Sequence, residues 1–378
     1  MLYLWQHIKA VTGTYSGSVP LTHFLRDYCR RHPVLGSRDR KVLAAVVYSW
    51  YRCSRGLVST SLPAEDSNLF FANQIRACLS LCNADNPYLP QLFTGVDTAD
   101  SKFAFDSDLL FPADVAMSEG IGDSEWRSSM LVQPQLFIRV RKHHSKIVAL
   151  LAGHNIPFVQ VTSTCLSLPN GAAIDKVLPA DWYVVQDASS QHTGSFFRPV
   201  AGAQWYDCCA GAGGKSLLLL DSGVPVRLTA SDRRASILAN LKDRFRLYGH
   251  NIPACFIADV AVSQQLATVA PDAVFDNIIC DAPCSGSGTW ARTPEQMYFF
   301  DKAVLQSYSQ LQQTIAINVS QRLAPGGRLF YITCSVFRCE NEDVVAAVCA
   351  ATGLSVEHME LINGIGIKAD SMFIAILK

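Results

Sequence analysis

Apolar residues recur at three- and four-residue spacing in two segments near the amino terminus, LTHFLRDYCRR (21–31) and RDRKVLAAVVYSWYR (38–52), with Arg and Lys on the opposite face. That period predicts half-buried helices. Between them HPVLGSRDR reads as a loop, with Ser37 or Asp39 as the helix N-cap. Residues 1 to about 125 read as helical, and the Asp-, Asn-, Pro- and Gly-rich stretch from Asn83 to Gly122 as loop or short helix. From about Glu125 the period changes. QLFIRVR alternates as a strand does, HHSKIVALLAGHN follows a helical period, and FVQVTS reads as a strand again before DWYVVQDASSQ. This small α+β unit ends near Pro199.

From Ala201 strand and helix patterns alternate. The strand candidates are QWYDCCA, VRLTASD, ACFIADV, FDNIICDAP, RLFYITCS and FIAILK, with long helical patterns such as ASILANLKDRFRLYG and VLQSYSQLQQTIAINVSQRL between them. Such alternation predicts an α/β fold with a mostly parallel, doubly wound sheet. Ligands of these sheets bind beyond the carboxyl ends of the strands. Asp207, Asp232, Asp259, Asp281 and Cys334 all fall at predicted strand ends, so they are expected to share one crevice.

Composition sharpens this picture in three ways. Hydrophobic residues make up 49% of 378, which predicts a globular chain with a large core. No apolar run approaches the roughly 20 residues of a membrane span, and the first residues lack a basic segment followed by an apolar one. Thirteen cysteines without a C-x-x-C pair suggest reduced thiols in the cytoplasm, with neither a disulfide framework nor a zinc module. The adjacent His143 and His144 share no helix face, so no metal site is expected there.

The net charge of zero is an average of opposites. Residues 1–60 hold nine Lys/Arg against Asp27 and Asp39, while residues 61–130 hold three against eleven Asp/Glu. A basic end can find phosphates; a solvated helix face is the plainer reading.

Chemistry gathers in three short stretches. DCCAGAGGKS (207–216) is a glycine-rich turn after the first strand. A phosphate-binding P-loop would need glycine where Cys209 stands, and a dinucleotide fingerprint starting at Gly211 would need it where Ser216 stands. An S-adenosylmethionine turn remains, with backbone approaching the ligand at the glycines. Asp232 would then accept the ribose hydroxyls, and Asp259 would lie near the adenine amino group. CDAPCSGSG (280–288) and YITCSVFRCENE (331–342) each carry a cysteine in a polar turn after an apolar run. A thiolate adding to carbon 6 of cytosine makes carbon 5 nucleophilic, and a second thiol can assist release, so two cysteines facing one cofactor suit methyl transfer to that carbon. Asp281 could bond the exocyclic amine and N3. A lone strand cysteine is more often an inert core residue, the reading given to Cys280, Cys255 and Cys349.

In DCCAGAGGKS, DAPCSGSG with Arg292 and Pro294 after it, APGGRLFYITCS and ENED, the sequence resembles the RNA cytosine-5 methyltransferases of the Sun/Fmu type. The resemblance covers roughly Trp182 to Lys378. It implies that Cys334 is the nucleophile, that Cys284 aids release, and that Cys209, Ala210, Gly211, Ala212, Gly213, Gly214 and Lys215 form the cofactor loop, with Asp232, Asp259 and Asp281 completing the site. The family loop usually reads Ala-Pro where Gly211–Ala212 stand, and Cys339 occupies a position more often acidic. The resemblance implies a Rossmann-like methyltransferase sheet (201–378), preceded by a small RNA-recognition-like α+β domain (126–200) and a basic helical domain (1–125). It further implies a monomeric cytoplasmic enzyme using S-adenosylmethionine, with no metal and no membrane partner. Ribosomal RNA is the preferred substrate, transfer RNA the alternative. A non-catalytic RNA-binding assembly factor would predict a broken loop or a missing cysteine. An amino-group methyltransferase would need an Asn/Asp-Pro-Pro-aromatic loop, which DAPC is not.

Overall fold

The computed structural model describes residues 2–60, 67–84, 86–94, 103–111, 114–269 and 273–378. The loop reading of 83–122 therefore falls partly outside the described residues. The chain forms two compact units that interleave in sequence: Met1–Val115 with Gly122–Gln133 and Thr289–Lys302, and Ala116–Ile121 with Pro134–Gly288 and Ala303–Lys378.

In the first unit, the helix Leu21–Arg31 buries Leu21, Leu25, Tyr28 and Cys29 along one face, and the helix Ser37–Cys53 buries Val42, Leu43, Val46 and Val47. With the helices Leu2–Thr14 and Ser67–Leu81 they enclose one core around Ile8, Leu43, Val46 and Ile75. Two expectations are corrected. The N-cap is Gly36 rather than Ser37 or Asp39, and its N–H donates to the Asp39 carboxylate at 3.1 Å. The unit is also not purely helical, because β1 (Leu57–Ser59) pairs antiparallel with β2 (Phe103–Phe105). Three-residue strands are too short to show a period. Arg52, one of the nine basic residues, is buried and donates to the carbonyls of Met130 and Ala291 at 2.8 and 2.7 Å.

The second unit holds two sheets. The smaller is antiparallel in the order β4-β5-β3-β6, from β3 (Leu136–Val140), β4 (Val159–Gln160), β5 (Cys165–Leu168) and β6 (Tyr183–Val185). The helix His144–Gly153 covers it through Ile147 and Leu151, against Ile138 and Leu166. FVQVTS contributes only two strand residues, and β5 was not predicted.

The larger sheet is built from β7 (Gln204–Asp207), β8 (Arg227–Asp232), β9 (Ala254–Ile257), β10 (Phe275–Asp281), β11 (Leu323–Thr333), β12 (Val356–Ile362) and β13 (Met372–Leu377). Its order is β12-β13-β11-β10-β7-β8-β9. β7 to β11 run parallel, and β13 lies antiparallel between β11 and β12. Successive strand residues serve opposite faces. Tyr206, Ile278, Tyr331 and Phe373 meet Ile315, Ala316 and Val344 on one side; Trp205, Ile279, Phe330 and Ile374 meet Leu217, Leu241 and Phe245 on the other. Helices thus cover both faces, and the fold is the doubly wound α/β class that the alternation predicted. The strand order reverses between β7 and β10, which places a ligand crevice beyond the ends of these two strands. Among the described residues no helix is long and apolar enough to cross a membrane.

Candidate active site

Asp207 ends β7, Asp232 ends β8, Asp281 ends β10, Cys334 follows β11 and Asp259 lies just beyond β9. Parallel strands bring these ends to one edge. A cavity of about 180 Å³ opens there, lined among others by Cys209, Asp232, Arg234, Asp259, Asp281 and Pro283, with Leu311 and Ile315 as an apolar wall.

The glycine-rich turn wraps the mouth of β7. Gly213 has φ +79°, and a Cβ there would lie 3.0 Å from the Phe245 ring, so the turn needs glycine at this position. Gly211, at φ +52°, donates its N–H to Asp232 at 3.1 Å. Asp232 also accepts from the Arg234 backbone at 2.9 Å and from its guanidinium at 3.0 and 3.2 Å. Burial opposes ionisation of Asp232, yet Arg234 and the backbone donors hold its carboxyl below the ordinary value. Asp259 accepts the N–H of Ala261 at 3.1 Å.

Lys215 does not face the cavity. It is 5% exposed, and its ammonium lies 3.2 Å from Asp281 and donates to Ser190 Oγ at 2.9 Å. Ala210, Gly211, Ala212, Gly213 and Gly214 shape the turn through backbone without lining the cavity. Of the loop residues expected at the cofactor, Cys209 is among those that line the cavity.

The two cysteines meet. Cys284 Sγ lies 3.4 Å from Cys334 Sγ, with both residues partly exposed. The neighbouring Cys334 sulfur, and then burial, push the Cys284 thiol well above its ordinary value. Cys280 is fully buried in the core; Cys255 and Cys349 pack partly buried against it.

The family described as 16S rRNA methyltransferase RsmB/F matches residues 195–373. That segment is similar to the RsmB/F family. Proteins named ribosomal RNA small subunit methyltransferase B are similar to it: that of Cronobacter sakazakii is 29% identical over 238 residues, covering 58% of this chain and 52% of that protein. The Sodalis glossinidius protein is 30% identical over 230 residues, covering 58% and 51%. The chain spans about half the length of the curated relatives it matches. Among solved structures, PH0851 shares the fold with a TM-score of 0.70 over 93% of each chain at 18% identity. NSun6 from Pyrococcus horikoshii, solved with SFG, has a TM-score of 0.56 at 15% identity, covering 68% of this chain and 92% of that one.

Within residues 195–373 a polar scaffold lies under the cysteines that their sequence context alone does not reveal. Ser285 and Ser335 each follow a cysteine, and both hydroxyls donate to the buried Glu340 carboxylate. Asn341 accepts from Thr333 at 2.6 Å and donates to the Ser335 carbonyl at 2.9 Å. The repeated Cys-Ser pair was the available signal. The partner of those serines, Glu340, opens the ENED stretch that marks the resemblance, but period and spacing alone give it no role. The Lys215–Asp281 contact was equally hidden, because a lysine in a glycine-rich turn reads first as a ligand contact.

Proposed function

We propose that this protein transfers a methyl group from S-adenosylmethionine to carbon 5 of a cytidine in RNA, with small-subunit ribosomal RNA as the substrate suggested by the names of its relatives. The observation that carries the reading is the 3.4 Å separation of Cys284 and Cys334 beside a cavity lined by Asp232, Asp259 and Asp281. A lone thiol fits many roles. Two partly exposed thiols in contact fit a cycle of addition and release.

The cavity suits the cofactor chemically. Asp232 and Asp259 offer carboxylates for ribose hydroxyls and an adenine amine, and Leu311 and Ile315 offer an apolar wall. Arg234 occupies Asp232 from a guanidinium that is 57% exposed, so it can yield to hydroxyls. When bound, S-adenosylmethionine supplies an electrophilic methyl sulfonium.

The Cys334 thiolate adds to carbon 6 of the cytosine, and carbon 5 gains enamine character and takes the methyl group. A base then removes the carbon-5 proton, the bond between Cys334 and carbon 6 breaks, and Cys284 assists that release. Asp281, held by Lys215, accepts from the exocyclic amine. Around this centre we assign residues 201–378 to catalysis, 126–200 to RNA recognition and the basic residues of 1–125 to RNA attraction.

Removal of each thiol should have opposite consequences. Cys334→Ala binds RNA and cofactor but forms no adduct. Cys284→Ser adds, transfers the methyl group and stalls as a protein–RNA complex, seen as a ribonuclease-sensitive slow band on a denaturing gel. The double variant gives no band. If the band accumulates in Cys334→Ala, the roles are reversed. If both single variants keep full activity, covalent catalysis by these cysteines is wrong.

A further inference from the structure

Glu340 is fully buried, and its two carboxylate oxygens accept four hydrogen bonds. Oε1 takes the backbone N–H of Ser285 at 2.8 Å and Gln312 Nε2 at 3.0 Å. Oε2 takes the hydroxyls of Ser285 and Ser335, each at 2.5 Å. Ser285 follows Cys284 and Ser335 follows Cys334, so one side chain grips the residue beside each thiol. Gln312 extends the grip by donating to the Pro283 carbonyl at 2.9 Å, on the other side of Cys284. Ser287 completes the frame: its Oγ lies 3.1 Å from Ser335 Oγ and accepts the N–H of Val336 at 2.9 Å.

A buried carboxylate is a costly way to fill space, and it is tolerated where several donors converge on it. Here three of the donors come from two separate loops, one after β10 and one after β11, and the fourth from Gln312 on the helix Val304–Ser320. We propose that Glu340 is a positioning residue that locks these loops together and sets the separation of the two thiols. For its catalytic consequence the proposal rests on the cytosine-5 reading above. Its negative charge also acts in the direction of keeping Cys284 a thiol, beside the larger effects of the Cys334 sulfur and burial. Cys284 is thereby restrained from competing with Cys334 as the nucleophile.

The test needs no RNA for its first readout. Phenylarsine oxide condenses with two thiols that lie within a few ångströms, forming two As–S bonds and releasing water. In the wild-type protein it should bridge Cys284 and Cys334, read as a linked peptide by mass spectrometry. Glu340→Gln keeps the size of the side chain but removes its charge, and its amide nitrogen cannot accept, so the pair of donors on that side loses its charge-assisted bonds. Bridging should fall about tenfold or more, and kcat on RNA about 100-fold with KM for RNA unchanged, since an error near 1 Å in a reacting group costs on that order. Glu340→Asp, which keeps the charge on a shorter arm, should fall between. Where Glu340→Gln fails to fold, the double variant Ser285→Ala/Ser335→Ala opens the clamp from the other side and should show the same two losses. Bridging and kcat at wild-type levels in the folded variant would overturn the proposal. A wild-type protein that bridges the arsenical yet methylates no RNA would instead defeat the cytosine-5 reading and leave the clamp standing.

Discussion

Asp207 closes β7 with no solvent contact, and the chemistry of the crevice begins under it. Its Oδ2 accepts the Ser216 hydroxyl at 2.6 Å, while Oδ1 is buried with no partner among the described residues. Burial pushes its carboxyl up from 3.8 to about 7, with the nearby Asp281 charge adding and the Ser216 bond opposing. A carboxyl raised on folding stabilises the protein most below its unfolded value and loses that contribution as pH rises through the folded one. Between about pH 4 and 7 the folded state holds a proton that the unfolded state has released, and the cost of removing it grows with pH. Asp207→Asn keeps the shape and an oxygen for Ser216 but cannot ionise. The variant should therefore gain about 2–3 kcal/mol on the wild type between pH 5 and pH 8, most of it before pH 7, measured by denaturant unfolding at both values. An equal difference at the two pH values would mean that Asp207 does not titrate in this range.

A buried carboxylate, Asp221, ties the small sheet of the second unit to the covering layer of the large one. Arg139 lies on β3 and Arg141 just beyond its end, and both reach one carboxylate. Asp221 caps the helix Gly214–Leu220 of the large sheet's covering layer. Arg139 Nη1 meets Asp221 at 2.5 Å, Arg141 Nη2 at 2.6 Å, and His250 Nε2 lies 2.7 Å from it. Burial opposes ionisation of Asp221, but these partners hold its carboxyl below the ordinary value. Asp221→Ala leaves two guanidinium groups buried without their counter-charge. It should cost about 3–5 kcal/mol in unfolding free energy at neutral pH, the range for breaking one side of a buried pair. Hydrogen exchange should quicken in β3 first; unchanged exchange there would mean the small sheet is held by its apolar contacts alone. This pairing was not visible in the sequence, because Arg139 and Arg141 read as the polar face of an alternating strand. The same limit explains β5 and β12. β5 (Cys165–Leu168) is four residues long, and β12 (Val356–Ile362) carries Glu357, His358 and Glu360 along a partly exposed edge, so neither shows the apolar run that marks a covered strand. The buried parallel strands are the reverse case. Ile278, Ile279 and Cys280 of β10, and Leu329 to Ile332 of β11, are apolar on both faces, and the acids and cysteines after them stood out against that background.

At the scale of the whole molecule the charges are arranged unevenly, and the structure changes which of them can act. Of the nine basic residues in the first sixty, Arg52 is spent on buried carbonyls and Arg30 pairs with Asp27 at 3.2 Å. Removing residues 1–60 would destroy the core around Leu43 and Val46, so a truncation tests folding rather than charge. Arg26, Arg31, Arg38 and Lys41 are exposed on the helices Leu21–Arg31 and Ser37–Cys53, and substitutions there leave the core intact. Replacing all four with Gln should lower stability by no more than about 2 kcal/mol, since exposed substitutions stay within about 0.5 kcal/mol each and Arg38 gives up its place over the Tyr88 ring. If these cations touch phosphates, each contributes about 0.7 to the slope of log affinity against log salt on single-stranded RNA, so the slope should shrink by roughly 3. The loss should be similar for RNAs of different sequence, because phosphate contacts position the chain without reading bases. The measurement is a titration of labelled RNA at several salt concentrations with wild type and the fourfold variant. A shared slope would reduce this face to solvated charge and move the RNA contact to the second unit, where Lys142 and Lys146 of the basic stretch RVRKHHSK are the next residues to replace.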